Sequence, residues 1–129
     1  MSFYIDDLRT YLPTQGWSII DPHEIPKGMP KLVLQDAGMG FDEALPYGGD
    51  RVDVIMLIGS FREERGDVEK KMIDNRRTLV GHLRQQGGGL FPGVISPAFS
   101  YTPRGQDPKK HEYIACRVTM TASSARPAR

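Results

Sequence analysis

Arg51-Val-Asp-Val-Ile-Met-Leu-Ile-Gly-Ser60, followed after a short polar turn by Gly66-Asp-Val-Glu-Lys-Lys-Met-Ile-Asp-Asn-Arg-Arg-Thr-Leu-Val-Gly-His-Leu83, decides the fold. The first part predicts a strand. Val52, Val54, Met56 and Ile58 point one way, and Ile55 and Leu57 point the other. A strand apolar on both sides needs cover on both. The second part predicts a long helix over 62–86, with the firm start at Asp67 as cap. Its stripe is Val68, Met72, Leu79 and Leu83, flanked by Ile73 and Val80. Gly87-Gly-Gly89 ends it.

Working outward, Phe3–Leu12 reads as a short helix with Ile5, Leu8 and Leu12 on one face, stopped by Pro13 and Gly16. Trp17–Ile20 is a short extended piece. Pro22, Pro26 and Pro30 make 21–30 an irregular connector. Lys31–Gln35 is a short strand. The glycine-rich segment 36–50 reads as a flexible loop carrying Met39, Phe41 and Leu45. Residues 93–102 form a strand interrupted by Pro97, which puts it at an edge or on a bulge, and it pairs as an antiparallel hairpin with His111–Thr121. In that last strand Ile114, Cys116, Val118 and Met120 face the core, while Tyr113, Ala115, Arg117 and Thr119 face out. The expected class is α+β. A small, mostly antiparallel sheet of about four strands carries one short and one long helix in a single domain over 1–122. Residues 123–129 form a polar tail.

Composition narrows the function. With 129 residues, one domain fills the chain. The 17 basic and 16 acidic residues balance, which argues against a protein that wraps nucleic acid or anchors by a polybasic patch. Cys116 is the sole cysteine, so an intrachain disulfide is impossible and a reducing compartment is the simplest setting. No apolar run approaches a membrane span, and no secretory leader is expected from the first residues.

No motif for chemistry stands out. His23 lies beside Asp21 and Glu24, but the spacing fits neither zinc nor calcium patterns. His82, between Leu79 and Leu83, reads as a structural imidazole, and His111 as an exposed one. Gly38-Met-Gly40 and Gly87-Gly-Gly89 lack the strand-before, helix-after context of a phosphate loop. Cys116 reads as a small apolar residue without a partner base. No catalytic residue, metal site or cofactor is expected. The basic pairs Arg76-Arg77 and Lys109-Lys110 have acids nearby, as in solvated faces or contacts between subunits.

The order of elements resembles the tail terminator (tail-completion) proteins of long-tailed phages, also described as minor capsid or head-to-tail joining proteins. The resemblance lies in the helix Phe3–Leu12, in Ala44-Leu-Pro-Tyr-Gly-Gly-Asp-Arg-Val-Asp-Val-Ile-Met-Leu-Ile-Gly-Ser60, and in Glu112-Tyr-Ile-Ala-Cys-Arg-Val-Thr-Met120. It covers about 3–122, less clearly at 21–30 and 87–101. It implies a virion protein of the tail or neck, assembled in the host cytoplasm. Copies would close into a ring, commonly of six, on the head-proximal end of the tail tube. The partners implied are other copies, the tail tube protein and the head-tail connector or stopper, with DNA passing through the lumen without sequence-specific binding. The interface residues expected are Met39, Phe41, Leu45, Ile55, Leu57, Arg76, Arg77, Arg104, Lys109 and Lys110. Ile55 and Leu57 enter that set because the second face of the central strand is expected to be covered by a neighbouring copy. The alternatives are another neck component (a stopper or adaptor) or a small-molecule-binding or enzymatic α+β domain. The latter predicts a pocket with convergent polar groups.

Overall fold

The computed structural model describes residues 3–42, 45–60, 65–85, 90–105 and 112–122, without the side chains of 3, 4, 38–42, 45–50, 65, 90, 91 and 122. The chain is α+β, and its described residues form two helices and an antiparallel sheet of five strands. The elements in chain order are α1 (Phe3–Thr14), β1 (Lys31–Asp42), β2 (Leu45–Ser60), α2 (Arg65–Gln85), β3 (Leu90–Ile95), β4 (Phe99–Tyr101) and β5 (Tyr113–Ala122). The sheet order is β1-β2-β5-β3, with β4 also on β5. β3 and β4 therefore lie end to end along one side of β5, opposite Leu90–Ile95 partners near Ala122 and Phe99–Tyr101 partners near Tyr113. Ser96, Pro97 and Ala98 make the break between them, as the proline at 97 requires.

The helices cover one face of this sheet. Leu32, Leu34, Val52, Val54, Met56, Ile58, Cys116, Val118 and Met120 meet Ile5, Leu8 and Leu12 of α1 and Val68, Met72, Leu79, Val80 and Leu83 of α2. The period of two in the strands and of about 3.6 in the helices places these residues together, and burial of their apolar area drives the packing. Ile73, read as a flank of the stripe, is instead 49% exposed. It falls one position past Met72, which turns it about 100° away from the sheet.

α1 ends where Pro13 and Gly16 demand, two residues later than its last core contact at Leu12. Trp17 N–H donates to the Leu12 carbonyl at 3.3 Å and Gly16 N–H to the Pro13 carbonyl at 3.1 Å, with Gly16 at φ 90°. This is a Schellman cap, and its left-handed position suits glycine. The cap delivers Trp17 into the core, 8% exposed. Its indole N–H donates to Nδ1 of His82 at 2.9 Å, and the Tyr11 hydroxyl donates to the His82 carbonyl at 2.9 Å. His82 is thus a structural imidazole that ties the end of α1 to α2. Beyond the cap, Ile20 N–H donates to the Leu32 carbonyl and Leu32 N–H to the Ser18 carbonyl, each at 2.9 Å, so the extended piece lies parallel to the start of β1.

The second face differs from expectation. Val33, Ile55, Leu57, Tyr101 and Ala115 form a separate buried cluster, packed with Ile20, Met29, Phe99 and Tyr113. Ile55 is 3% and Leu57 0% exposed within the single chain. The cover expected from a neighbouring copy is supplied by the chain's own connector and by β4, so Ile55 and Leu57 leave the set of interface residues. Ala115, expected to face out, is buried in this cluster. The two covering segments are joined where Arg104 N–H donates to the Pro22 carbonyl at 2.9 Å. The Met29–Pro30 peptide is cis. Further along the same face the row Gln35, Asp53, Thr119 is polar, and the Thr119 hydroxyl donates to Asp53 at 2.8 Å.

Tyr101 carries one consequence for stability. Its hydroxyl is buried and meets no hydrogen-bond partner among the described residues. A buried hydroxyl left unpaired costs about 1–3 kcal/mol, so Tyr101→Phe is expected to hold stability or raise it by about 1 kcal/mol. A urea midpoint that falls on this substitution would reveal a partner for the phenol.

Candidate assembly surfaces

Segment 36–50 is not a loop. β1 continues to Asp42 and β2 begins at Leu45, with Gly38 opposite Arg51, Met39 opposite Asp50, Gly40 opposite Gly49 and Asp42 opposite Leu45. At 36/38 the ladder absorbs one extra residue on β1 and at 40/42 two extra residues on β2, next to glycines that tolerate the bend. β5 pairs with β2 only from Arg51 onward, opposite Thr121. Among the described residues, Leu45, Gly49 and Asp50 therefore pair with β1 alone. The result is a two-stranded arm that outruns the sheet. A two-stranded ribbon is marginal on its own in water, and needs a third strand or a packed face for independent stability. Met39, Phe41 and Leu45 lie on this arm, and their side chains are outside the described ones.

The other expected residues scatter. Arg77 is exposed on α2 and Arg76 half-buried, near enough to Cys116 to oppose the rise in its pKa. Arg104 is exposed at the turn after β4. Lys109, Lys110 and His111 lie outside the described residues, as do Gly87–Gly89 and the tail at 123–129. His23 is exposed. Among the described residues no group of three His, Cys, Asp or Glu side chains is placed to hold a metal ion, and no described helix is long and apolar enough to cross a membrane.

Two features escaped the sequence reading. Val94 and Ile95 on β3 are 65% and 44% exposed. Their position between Pro92 and Pro97 on an edge strand was the available signal. An open groove of about 440 Å³ near the end of α1 is lined by Arg9, Pro13 and Trp17 together with Ile19, Ile20, Asp21 and Glu24.

Cys116 has no nucleophile's setting. It is fully buried, and burial pushes its thiol up to about 11 against a weaker opposing pull from Arg76. A thiolate is the reactive form, so the native thiol is inert. The folded state favours the protonated thiol. Its contribution to stability is therefore complete below the unfolded value of 9.0 and is lost as pH climbs from there towards about 11. Cys116→Ala is expected to flatten this alkaline loss, worth on the order of 2–3 kcal/mol. Tyr101, also raised by burial, titrates in both proteins and cancels in the comparison. Parallel alkaline limbs in urea denaturation of the two proteins would refute the assignment.

Set beside known proteins, the chain matches no family model, and no curated protein is detectably similar to it.

Proposed function

We propose that this protein is a structural assembly protein of a phage tail, a terminator whose copies form a ring on the head-proximal end of the tail tube. The observation that carries the reading is the arm of β1 and β2, a ribbon that among the described residues pairs with no third strand, where a two-stranded ribbon alone is marginal in water. The resemblance at Phe3–Leu12, Ala44–Ser60 and Glu112–Met120 supplies the tail setting. Cyclic rings use heterologous contacts, one patch against a different patch on the next copy, and an arm is one half of such a pair. The ring would touch the tube protein below and the head connector above, in the virion. A chain with net charge of +1 also suits a conduit, because dense phosphate contacts would hold DNA in place.

Polymerisation of the cognate tube protein provides the test. Substoichiometric addition of this protein is expected to shorten the tubes seen by electron microscopy and to leave density at one end. Tube lengths independent of the added protein would overturn the proposal. Binding to the connector without any effect on tubes would make it a stopper or adaptor instead.

A further inference from the structure

We infer that His82 is an acid-sensitive latch: a proton taken up at its Nδ1 breaks the contact that holds Trp17 and frees the end of α1 from α2.

The geometry admits one protonation state in the closed form. Trp17 Nε1–H donates to His82 Nδ1 at 2.9 Å, and the two rings meet edge to face, with centroids 6.2 Å apart and planes at 80°. An indole N–H can only donate, so Nδ1 presents its lone pair and the neutral ring carries its hydrogen on Nε2. A second proton has to go to Nδ1, the atom that already faces a donor. The charged ring has two donors and no acceptor, and the contact cannot survive in its present form. Histidine is the side chain that ordinarily changes charge between about pH 5 and pH 8.

The charged ring has support of its own. His82 lies in the last turn of α2, where the carbonyl end of a helix favours a cation. The helix end therefore draws a proton to the ring, and the indole needs that same atom empty. From the neighbouring elements, Tyr11 and Trp17 touch His82 directly. Asp7 lies one turn before Tyr11 on the same side of α1. Arg9, Asp21 and Glu24 share the groove with Trp17, and Arg84 stands two positions along α2. The carboxylates favour a charge on His82 and the arginines oppose it. The strands beneath the helices meet them with apolar side chains.

Release has a direction. Trp17 is 8% exposed, and a buried N–H without a partner is costly. Water is near, because Trp17 also lines the open groove beside Pro13 and Ile19. Turning toward that groove wets the indole N–H and pulls on the Gly16 cap, which loosens the last turn of α1. The Tyr11 hydroxyl bonds to the His82 backbone carbonyl, which is indifferent to the ring's charge, so the preceding turn stays tethered. The latch opens at one end only.

The chain's only tryptophan makes the event directly readable. The unaltered protein is titrated from about pH 8 to pH 5 while far-UV circular dichroism checks the fold. Indole emission, acrylamide quenching, the single indole N–H resonance and the imidazole nitrogen shifts of His82 are followed together. At the alkaline end Nδ1 is expected to be the unprotonated nitrogen. As the ring gains its proton, the indole resonance is expected to shift and exchange with water, and the emission to move to the red with stronger quenching. All of these changes share one midpoint. His82→Asn keeps an acceptor close to the Nδ1 position and has no ring to protonate, so its indole signals are expected to stay level. Replacing His23 and His111 by Gln is expected to leave the transition in place. Indole signals that stay level while the His82 ring titrates overturn the inference, as does a transition that survives in His82→Asn. An imidazole that stays neutral until the helical signal is lost overturns it too.

Discussion

Leu57→Asp is expected to destabilise the isolated protomer by at least about 4 kcal/mol, enough to unfold much of it at room temperature. Leu57 is fully buried among Val33, Ile55, Tyr101 and Ala115. A carboxylate there would lose its water without gaining a cation, and such uncompensated burial costs several kcal/mol. The lost apolar contacts add to this, as Leu→Ala at a buried site alone costs about 2–5 kcal/mol. A domain holds roughly 5–15 kcal/mol in reserve, so this one change consumes a large share. The measurement is the urea midpoint of the monomer at low protein concentration. That choice separates two pictures of the second face. If neighbouring copies covered Leu57, the monomer's midpoint would barely move and only association would suffer. An unchanged midpoint would therefore contradict the internal seal formed by the connector and β4.

Trp17→Ala is the second large effect, expected at about 3–5 kcal/mol. Trp17 is the chain's only tryptophan and is packed in the main core at the cap of α1. Removing the ring opens a cavity beside Leu12 and His82 and releases the hydrogen bond to Nδ1. Trp17→Phe divides the cost. It retains most of the packing and leaves the half-buried His82 nitrogen without its donor, a loss of about 1 kcal/mol. Far-UV circular dichroism during urea denaturation reads both variants, and indole fluorescence reports the docking of α1 in the unaltered protein. Equal losses for Ala and Phe would mean that the hydrogen bond, and not the packing, holds α1.

These effects also mark how far local pattern carries a sequence reading. The alternation in 52–58 and 113–121 is strict enough to identify both strands and their helix-covered face. The helical stripe at Val68, Met72, Leu79 and Leu83 does the same for α2. Pro97 marked an interruption in 93–102, and the chain breaks there between β3 and β4. Segment 36–50 was misread because Gly38, Gly40, Gly48 and Gly49 are turn residues by composition, yet glycine also fits a ribbon whose ladder shifts register. The seal on the second face was not legible because it joins Ile20 and Met29 to Phe99 and Tyr101 across most of the chain, and no local period encodes such a contact. Val94 and Ile95 looked like ordinary strand residues until the sheet order left them on the outside.

The place of β5 in the sheet has a consequence for biosynthesis. It is central, hydrogen-bonded to β2 on one side and to β3 and β4 on the other, yet it is the last strand described along the chain. While the ribosome adds roughly 5–20 residues per second, everything up to Tyr101 emerges with β2 unzipped along one flank and β3 without a mate. The nascent polypeptide must therefore wait for Tyr113–Ala122 before its two halves can be stitched together. Shielding of that interval by a holdase, or fast completion of translation, would decide the yield of native protein more than the stability of the finished fold.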